Sequence, residues 1–273
     1  FTNKGRVYRL KCYEIPESSR TSRGVALVNL LHLLPGEKIT ASIVRRDSEN
    51  DKYLFMATKK GLVKKTRIQE YANIRKTGLI AITLREDDEL IEVKATDGEQ
   101  DIFLMSSQGK CIRFHEADVR VTGRSSMGVG GMVLEEGDEV MQTRSQGEYL
   151  LMITENGMGK RTLVSEFKNQ KRYGMGVKCY NLTAKTGKLL AAKIISDDQE
   201  IMLITTEGII MRMNADDISL IGRDTSGVKV INLEENTYVA SLAKVRDMEG
   251  SEEDSEESED AENTEETEET TEE

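Results

Sequence analysis

The chain has 273 residues, with 38 Lys or Arg against 49 Asp or Glu and a formal net charge of −11. Its three cysteines, Cys12, Cys111 and Cys179, never fall at CxxC spacing, and His32 and His115 are isolated, so neither a disulfide framework nor a metal site is expected. No apolar stretch approaches the roughly 18 residues of a membrane span, and Phe1 reads as the inside of a repeat rather than the start of a signal segment, as in a fragment of a longer protein.

Along the chain, residues 1–50 begin with Phe1-Thr-Asn-Lys-Gly5, the end of a strand and its turn. Residues 51–99 open with the apolar run Tyr53-Leu-Phe-Met56, turn at Gly61 and continue as Leu62-Val-Lys-Lys-Thr66. Residues 100–147 repeat this with Ile102-Phe-Leu-Met105, Gly109 and Lys110-Cys-Ile-Arg-Phe114. Residues 148–199 do so with Tyr149-Leu-Leu-Met-Ile153 and Gly157, and residues 200–246 with Ile201-Met-Leu-Ile204, Gly208 and Ile210-Met-Arg-Met213. Apolar runs this short, ended at once by a turn, are strand-sized. A connection follows in each unit and carries Arg20, Arg75, Arg124, Arg172 or Arg223. Then Gly24, Gly78, Gly128, Gly176 or Gly227 opens a third strand, which reaches Leu30, Leu84, Leu134, Leu182 or Leu233 six residues on. A fourth strand, such as Glu89-Leu-Ile-Glu-Val-Lys94, closes the unit.

Four short strands in about 50 residues, repeated five times, predict an all-β, propeller-like domain of about five four-stranded blades over residues 1–246. Pro16 and Pro35 both fall in connections of the first unit, consistent with strands elsewhere. Residues 247–273 form an acidic tail expected to be disordered. From 249 onward it holds 15 Asp or Glu and no Lys or Arg, which leaves residues 1–248 with 34 acidic and 38 basic residues.

The basic residues recur at three places. Around the first glycine lie Lys4, Arg6, Lys59, Lys60, Lys110, Lys160 and Arg161. In the second strand lie Arg9, Lys11, Lys64, Lys65, Arg113 and Arg212, where alternation predicts one buried face and one charged face. Near the second glycine lie Arg20, Arg23, Arg75, Lys76, Arg120, Arg124, Lys168, Lys171, Arg172, Arg223 and Lys229. In a radial arrangement these form a ring, so the whole set is expected to contact the phosphates of duplex DNA. No helix-turn-helix, zinc finger or RRM pattern is present, and aromatics are only 5% of residues, which argues against base readout and single-strand stacking. A protein-binding propeller is the competing reading, and it predicts a neutral or apolar rim. The tail is expected to compete with DNA as a tethered polyanion.

No catalytic constellation is found. Gly157-Met-Gly159-Lys160-Arg161 fails as a P-loop, since Thr154 stands where glycine is required and Arg161 where Ser or Thr is required. Gly128-Val-Gly130-Gly131 heads no helix and so is no dinucleotide site.

The stretch from Arg6-Val-Tyr-Arg-Leu-Lys-Cys-Tyr-Glu-Ile-Pro-Glu-Ser-Ser-Arg20 through Arg23-Gly24 and Val28-Asn-Leu-Leu31 to Pro35-Gly-Glu-Lys-Ile-Thr40 resembles the DNA gyrase A C-terminal domain. Phe55-Met-Ala-Thr-Lys-Lys-Gly-Leu-Val-Lys-Lys-Thr66 and Ile221-Gly-Arg-Asp-Thr-Ser-Gly-Val228 look like the same domain. The resemblance implies a β-pinwheel whose blades exchange strands, six in the full domain and here without the first. It implies DNA wrapped on a basic rim in support of ATP-dependent negative supercoiling. The implied partners are double-stranded DNA, the rest of the gyrase A polypeptide and gyrase B, together in a heterotetramer. ATP and magnesium belong to that holoenzyme, with no cofactor in this chain, and the implied location is cytoplasmic and nucleoid-associated. The family's box, Gln-[Arg/Lys]-Arg-Gly-Gly-[Arg/Lys]-Gly, belongs to the missing first blade, and Gln170-Lys-Arg-Tyr-Gly-Met-Gly176 reads as the same connection in a later blade, a degenerate relative and not the box itself. The corresponding C-terminal domain of topoisomerase IV, which lacks the box, is the alternative.

Overall fold

The computed structural model describes residues 1–19, 22–44, 52–144 and 147–245. The first unit contributes β1 (Arg6–Val7), and a Thr2–Ile39 bridge lies beside it. The second contributes β2 (Tyr53–Thr58), β3 (Leu62–Arg67), β4 (Leu79–Ile80) and β5 (Leu90–Thr96). The third contributes β6 (Asp101–Ser106), β7 (Lys110–His115), β8 (Val129–Gly130) and β9 (Val140–Arg144). The fourth contributes β10 (Tyr149–Thr154), β11 (Met158–Leu163), β12 (Val177–Lys178) and β13 (Leu189–Ile195). The fifth contributes β14 (Glu200–Thr205), β15 (Ile210–Asn214), β16 (Val228–Lys229) and β17 (Val239–Lys244).

The sheets do not coincide with the units. Strand order is β5-β2-β3-β8, then β9-β6-β7-β12, then β13-β10-β11-β16. Each third strand therefore leaves its own unit and pairs, antiparallel, with the second strand of the unit before it. Leu62 faces Gly130, Cys111 faces Val177, and Gly159 faces Val228. This is the strand exchange of a β-pinwheel. The expectation of uniformly four-stranded blades is corrected at both ends. Among the described residues the first sheet is the pair β1-β4, and the last is the three-stranded β15-β14-β17. The fourth strands β5, β9, β13 and β17 lie beside one another in succession and so form the inner layer.

All ten repeat glycines adopt left-handed backbone. Two show why no other residue fits. At Gly61, the β2–β3 hairpin turn, a Cβ would stand 2.7 Å from the Met132 carbonyl oxygen; at Gly128 it would stand 2.5 Å from the Val63 oxygen. The glycines let the exchanged strand and the hairpin meet backbone to backbone.

Alternation along one first strand feeds two cores. In β2, Leu54 and Met56 pack with Val7, Tyr71 and Ile82 towards the first unit. Phe55 and Ala57, between them, pack with Ile102, Leu104 and Phe114 towards the third. Phe103 and Met105 meet Leu150, Met152 and Phe167; Leu151 and Ile153 meet Ile201, Leu203 and Ile218. Leu84, Leu134, Leu182 and Leu233 each pack against one of these four clusters. The cores thus lie between blades, and the second strands β3 and β11 are buried on both faces instead of one.

In the first four units a basic side chain four residues after the first glycine reaches the next unit. Arg9 reaches the Ala72 carbonyl at 3.5 Å, at the end of the 3-10 turn Ile68–Tyr71. Lys65 donates to the Glu116 carbonyl at 2.7 Å, on the turn Glu116–Asp118. Arg113 donates to the Val164 and Phe167 carbonyls at 3.1 and 3.0 Å, flanking the turn Val164–Glu166. Arg161 donates to the Ile218 carbonyl at 2.8 Å and the Asp216 carboxylate at 3.0 Å, on the turn Ala215–Asp217. Lys65, Arg113 and Arg161 also lie over the rings of Tyr53, Phe103 and Tyr149. Arg212, the fifth of the series, pairs with Glu200 of its own sheet.

The open last sheet exposes this logic. Ile210 is 62% exposed, whereas Val63, at the same register, is fully buried. Val63→Ala should cost about 2 kcal/mol in urea unfolding, and Ile210→Ala less than about 0.5 kcal/mol. Arg161→Ala should cost about 3 kcal/mol, because it leaves a part-buried carboxylate and several carbonyls unmatched; Arg212→Ala should cost under about 1 kcal/mol.

Candidate nucleic-acid interface

The structure divides the predicted basic ring into three environments. Four members are buried: Lys64, Lys65, Lys160 and Arg161. Their expected place on a charged outer face is corrected, because the neighbouring blade covers that face. Lys65 and Arg161 belong to the clasp just described, as do the half-buried Arg113 and the exposed Arg9. Lys64 donates to the carbonyls of Ala81, at 2.7 Å, and Arg124. Lys160 donates to the carbonyls of Gly222 and Arg223 at 3.0 and 2.6 Å and to the Thr225 hydroxyl at 3.1 Å. Burial pushes both ammonium groups down to about 8. The carbonyl cage offsets that desolvation, and it fixes the next unit's connection at its arginine.

A second group lies at the hairpin-turn end of the sheets. There the loops entering the fourth strands are acidic, with Glu86-Asp-Asp-Glu89 and Glu135-Glu136 before Asp138-Glu139. Lys59 pairs with Glu139 at 2.8 Å, and Lys110 pairs with Glu135. The Lys60 backbone and ammonium groups bond Asp88 and the Glu86 carbonyl. Arg6 faces Glu37 at 3.5 Å and donates to the Thr77 carbonyl at 2.6 Å. Exposed Lys4 belongs to this end as well. Cation and anion alternate here, so the net field is weak.

The third group lies on the connections. Arg75, Lys76, Arg120, Lys168, Lys171 and Lys229 are exposed, as are Lys11 and Arg23 in the first unit. Arg20 lies outside the described residues, as does the tail beyond residue 245. Arg124, Arg172 and Arg223 are half-exposed, and each reaches back to the exchanged strand before it. Arg124 meets the Ile80 carbonyl at 3.5 Å, Arg172 the Gly130 carbonyl at 2.9 Å and Arg223 the Lys178 carbonyl at 3.2 Å. Each acceptor stands two residues beyond a second glycine, so the register is the same three times. Backbone bonds run alongside, from Thr83 to Ser126, from Val133 to Gly174 and from Asn181 to Thr225. Successive connections are thereby tied side by side along one rim, carrying cations at the blade repeat.

Lys178 also belongs on this rim, exposed and paired with Asp224 at 2.9 Å. The sequence holds its signal, since Lys178 and Lys229 both stand two residues beyond a second glycine. Exposed apolar residues sit among the cations too, including Met127, Tyr173, Met175 and Leu220. Among the described residues no group of three or more His, Cys, Asp or Glu could hold a metal ion, and no helix is long and apolar enough to cross a membrane.

Comparison with known proteins agrees with this architecture. The family model described as "DNA gyrase C-terminal domain, beta-propeller" matches residues 1–44, 52–97, 100–145, 148–196 and 199–246. The DNA gyrase A protein of Staphylococcus aureus (strain NCTC 8325 / PS 47) is 40% identical over 252 residues, covering 90% of this chain and 28% of that protein. The chain thus spans less than a third of the curated relative it matches. A solved C-terminal domain of DNA topoisomerase IV superposes with a TM-score of 0.81 at 29% identity, covering 90% of this chain and 77% of the other. A solved DNA gyrase A C-terminal domain superposes at 0.77, also at 29% identity, covering 89% and 80%. The five matched segments, the exchanged strands and the identity to a gyrase A protein place this chain in the DNA gyrase C-terminal domain family.

Proposed function

We propose that the chain binds duplex DNA through phosphates along the connection rim and bends it around the blades, without reading base sequence. The observation that carries this reading is the side-by-side lacing of successive connections. Arg124, Arg172 and Arg223 recur there in one register, with Arg75, Lys76, Arg120, Lys168, Lys171, Lys178 and Lys229 around them. A polyanion of regular charge spacing suits cations repeated at a fixed step. The hairpin-turn lysines are neutralised locally and contribute little, and the buried basic residues contribute through geometry alone.

On this reading the chain is the non-catalytic wrapping part of a gyrase-type topoisomerase. Wrapping would present one DNA segment for passage through another and bias ATP-dependent passage towards negative supercoiling. Magnesium and ATP would act elsewhere in the holoenzyme, with gyrase B and the rest of the gyrase A polypeptide as partners, in the cytoplasm on the nucleoid. The 40% identity to a gyrase A protein favours gyrase over the topoisomerase IV alternative, whose solved domain superposes slightly better, at 0.81 against 0.77.

Binding of unrelated duplexes should weaken steeply with salt. The double variant Arg120→Ala/Lys171→Ala should lower the slope of log K against log salt by about 2 and weaken all sequences alike. Lys60→Ala and Lys110→Ala should leave the slope unchanged. Fluorescence anisotropy titrations read this, and a slope that depends on the hairpin-turn lysines instead would overturn the assignment of the rim. Plasmid relaxed by a topoisomerase in the presence of excess chain should shift in linking number if DNA is wrapped; an unshifted distribution despite binding would remove wrapping from the proposal.

A further inference from the structure

We infer that Tyr173 and Met175 form a rigid apolar wedge that enters the minor groove of bound duplex DNA at one base step, kinking it at the fourth blade. This rests on the reading that the connection rim carries DNA. Tyr173 is 63% exposed and Met175 54%, although both side chains are large and apolar. They are flanked by the exposed cations Lys168 and Lys171 and by Arg172, so a duplex held here by its phosphates would meet the wedge directly. Proteins that bend DNA push apolar side chains between base steps in this way, flanked by basic residues.

The backbone supports a built feature rather than a loose loop. Tyr173 has φ +65, a left-handed conformation that disfavours residues with a Cβ. Its neighbours hold it there. Its own amide donates to the Gly131 carbonyl at 2.6 Å, and Gly174 accepts from the Val133 amide at 3.0 Å. Arg172 is tied to the carbonyls of Asp118 and Gly130 at 3.0 and 2.9 Å. The ring of Tyr173 rests on Gly130, where any side chain would overlap it. One side of the ring is thus seated on the preceding blade while the rest faces solvent. A wedge ordered before binding loses little further freedom on insertion.

The other connections do not carry the pair. Arg75, Ser125 and Asp224 stand at the register of Tyr173, and Thr77, Met127 and Ser226 at that of Met175. The kink is therefore local to one blade, and it favours DNA with an easily unstacked pyrimidine–purine step at that point.

The test uses a duplex with donor and acceptor dyes at its ends and 2-aminopurine at its centre, titrated with the chain. Tyr173→Gly fits the left-handed backbone better than tyrosine, so its melting temperature should be unchanged or higher. Its salt slope should match the parent. Its energy transfer on binding should fall, the 2-aminopurine signal should vanish, and affinity should weaken roughly tenfold. Tyr173→Phe should behave as the parent, and Met175→Ala should fall between. Full bending by Tyr173→Gly would overturn the wedge. So would a Phe variant as defective as Gly, since that would make the hydroxyl the active group. An unmodified chain that shows no salt-sensitive binding would remove the parent reading of the rim instead, which is a distinct result from normal binding without a kink.

Discussion

No unit of this protein completes its own sheet. The second strand of each of the first four units is finished by two residues of the unit that follows, and its flank is covered by that unit's apolar face. The clasp of Lys65, Arg113 and Arg161 on the next 3-10 turn adds a polar lock to the same joint. Stability in such an array is shared between nearest neighbours, much as in other repeat architectures. The rim follows from this constraint. Because each exchanged strand must cross to the preceding blade, the connection leading into it is drawn across the boundary and laid beside the next one.

Charge in the molecule is therefore sorted by geometry more than by composition. Lys65, Arg113 and Arg161 of the second strands are used inside the joints, where carbonyls at helical-turn ends substitute for water. Cations of the hairpin turns meet the acidic loops beside them. Those of the connections stay in the open, and there a guanidinium that grips one neighbour's carbonyl still presents a charged face outward. The mild excess of basic residues in the folded part becomes a concentrated positive rim because the other two environments cancel their own charge.

Much of this was legible in the sequence. The glycines, at fixed distance from a leucine, signalled turns and core: all ten are left-handed, and Leu84, Leu134, Leu182 and Leu233 join interblade clusters. The third strand expected from Gly24 to Leu30 is corrected, since Leu27–Leu30 is a short helix with no buried residue. Of the connection arginines, singled out by register alone, Arg124, Arg172 and Arg223 make the same contact to the preceding exchanged strand. The second-strand basics were not legible as joints. Alternation along Leu62-Val-Lys-Lys-Thr66 implies one wet face, and nothing local in the residues reveals that a neighbour covers both. Lys64 and Lys160 look like surface residues until the carbonyls that cage them are placed, and those of Arg124, Gly222 and Arg223 come from the following unit. Tyr173 was visible as a departure from the family's box pattern, but the seat of its ring is Gly130, a repeat away.

Strand exchange also fixes the order in which the molecule can be completed during synthesis. A hairpin such as β2–β3 can form as soon as it leaves the ribosome, because its contacts are close in sequence. Its outer edge stays unpaired until β8, a whole repeat later, has been made. At every stage of translation the newest blade therefore presents one bare strand, with the next donor still unmade. The nascent chain passes through a succession of sticky, half-finished edges, each shielded only by the arrival of its successor, so a pause between repeats would leave the growing chain open to pairing with the wrong strand.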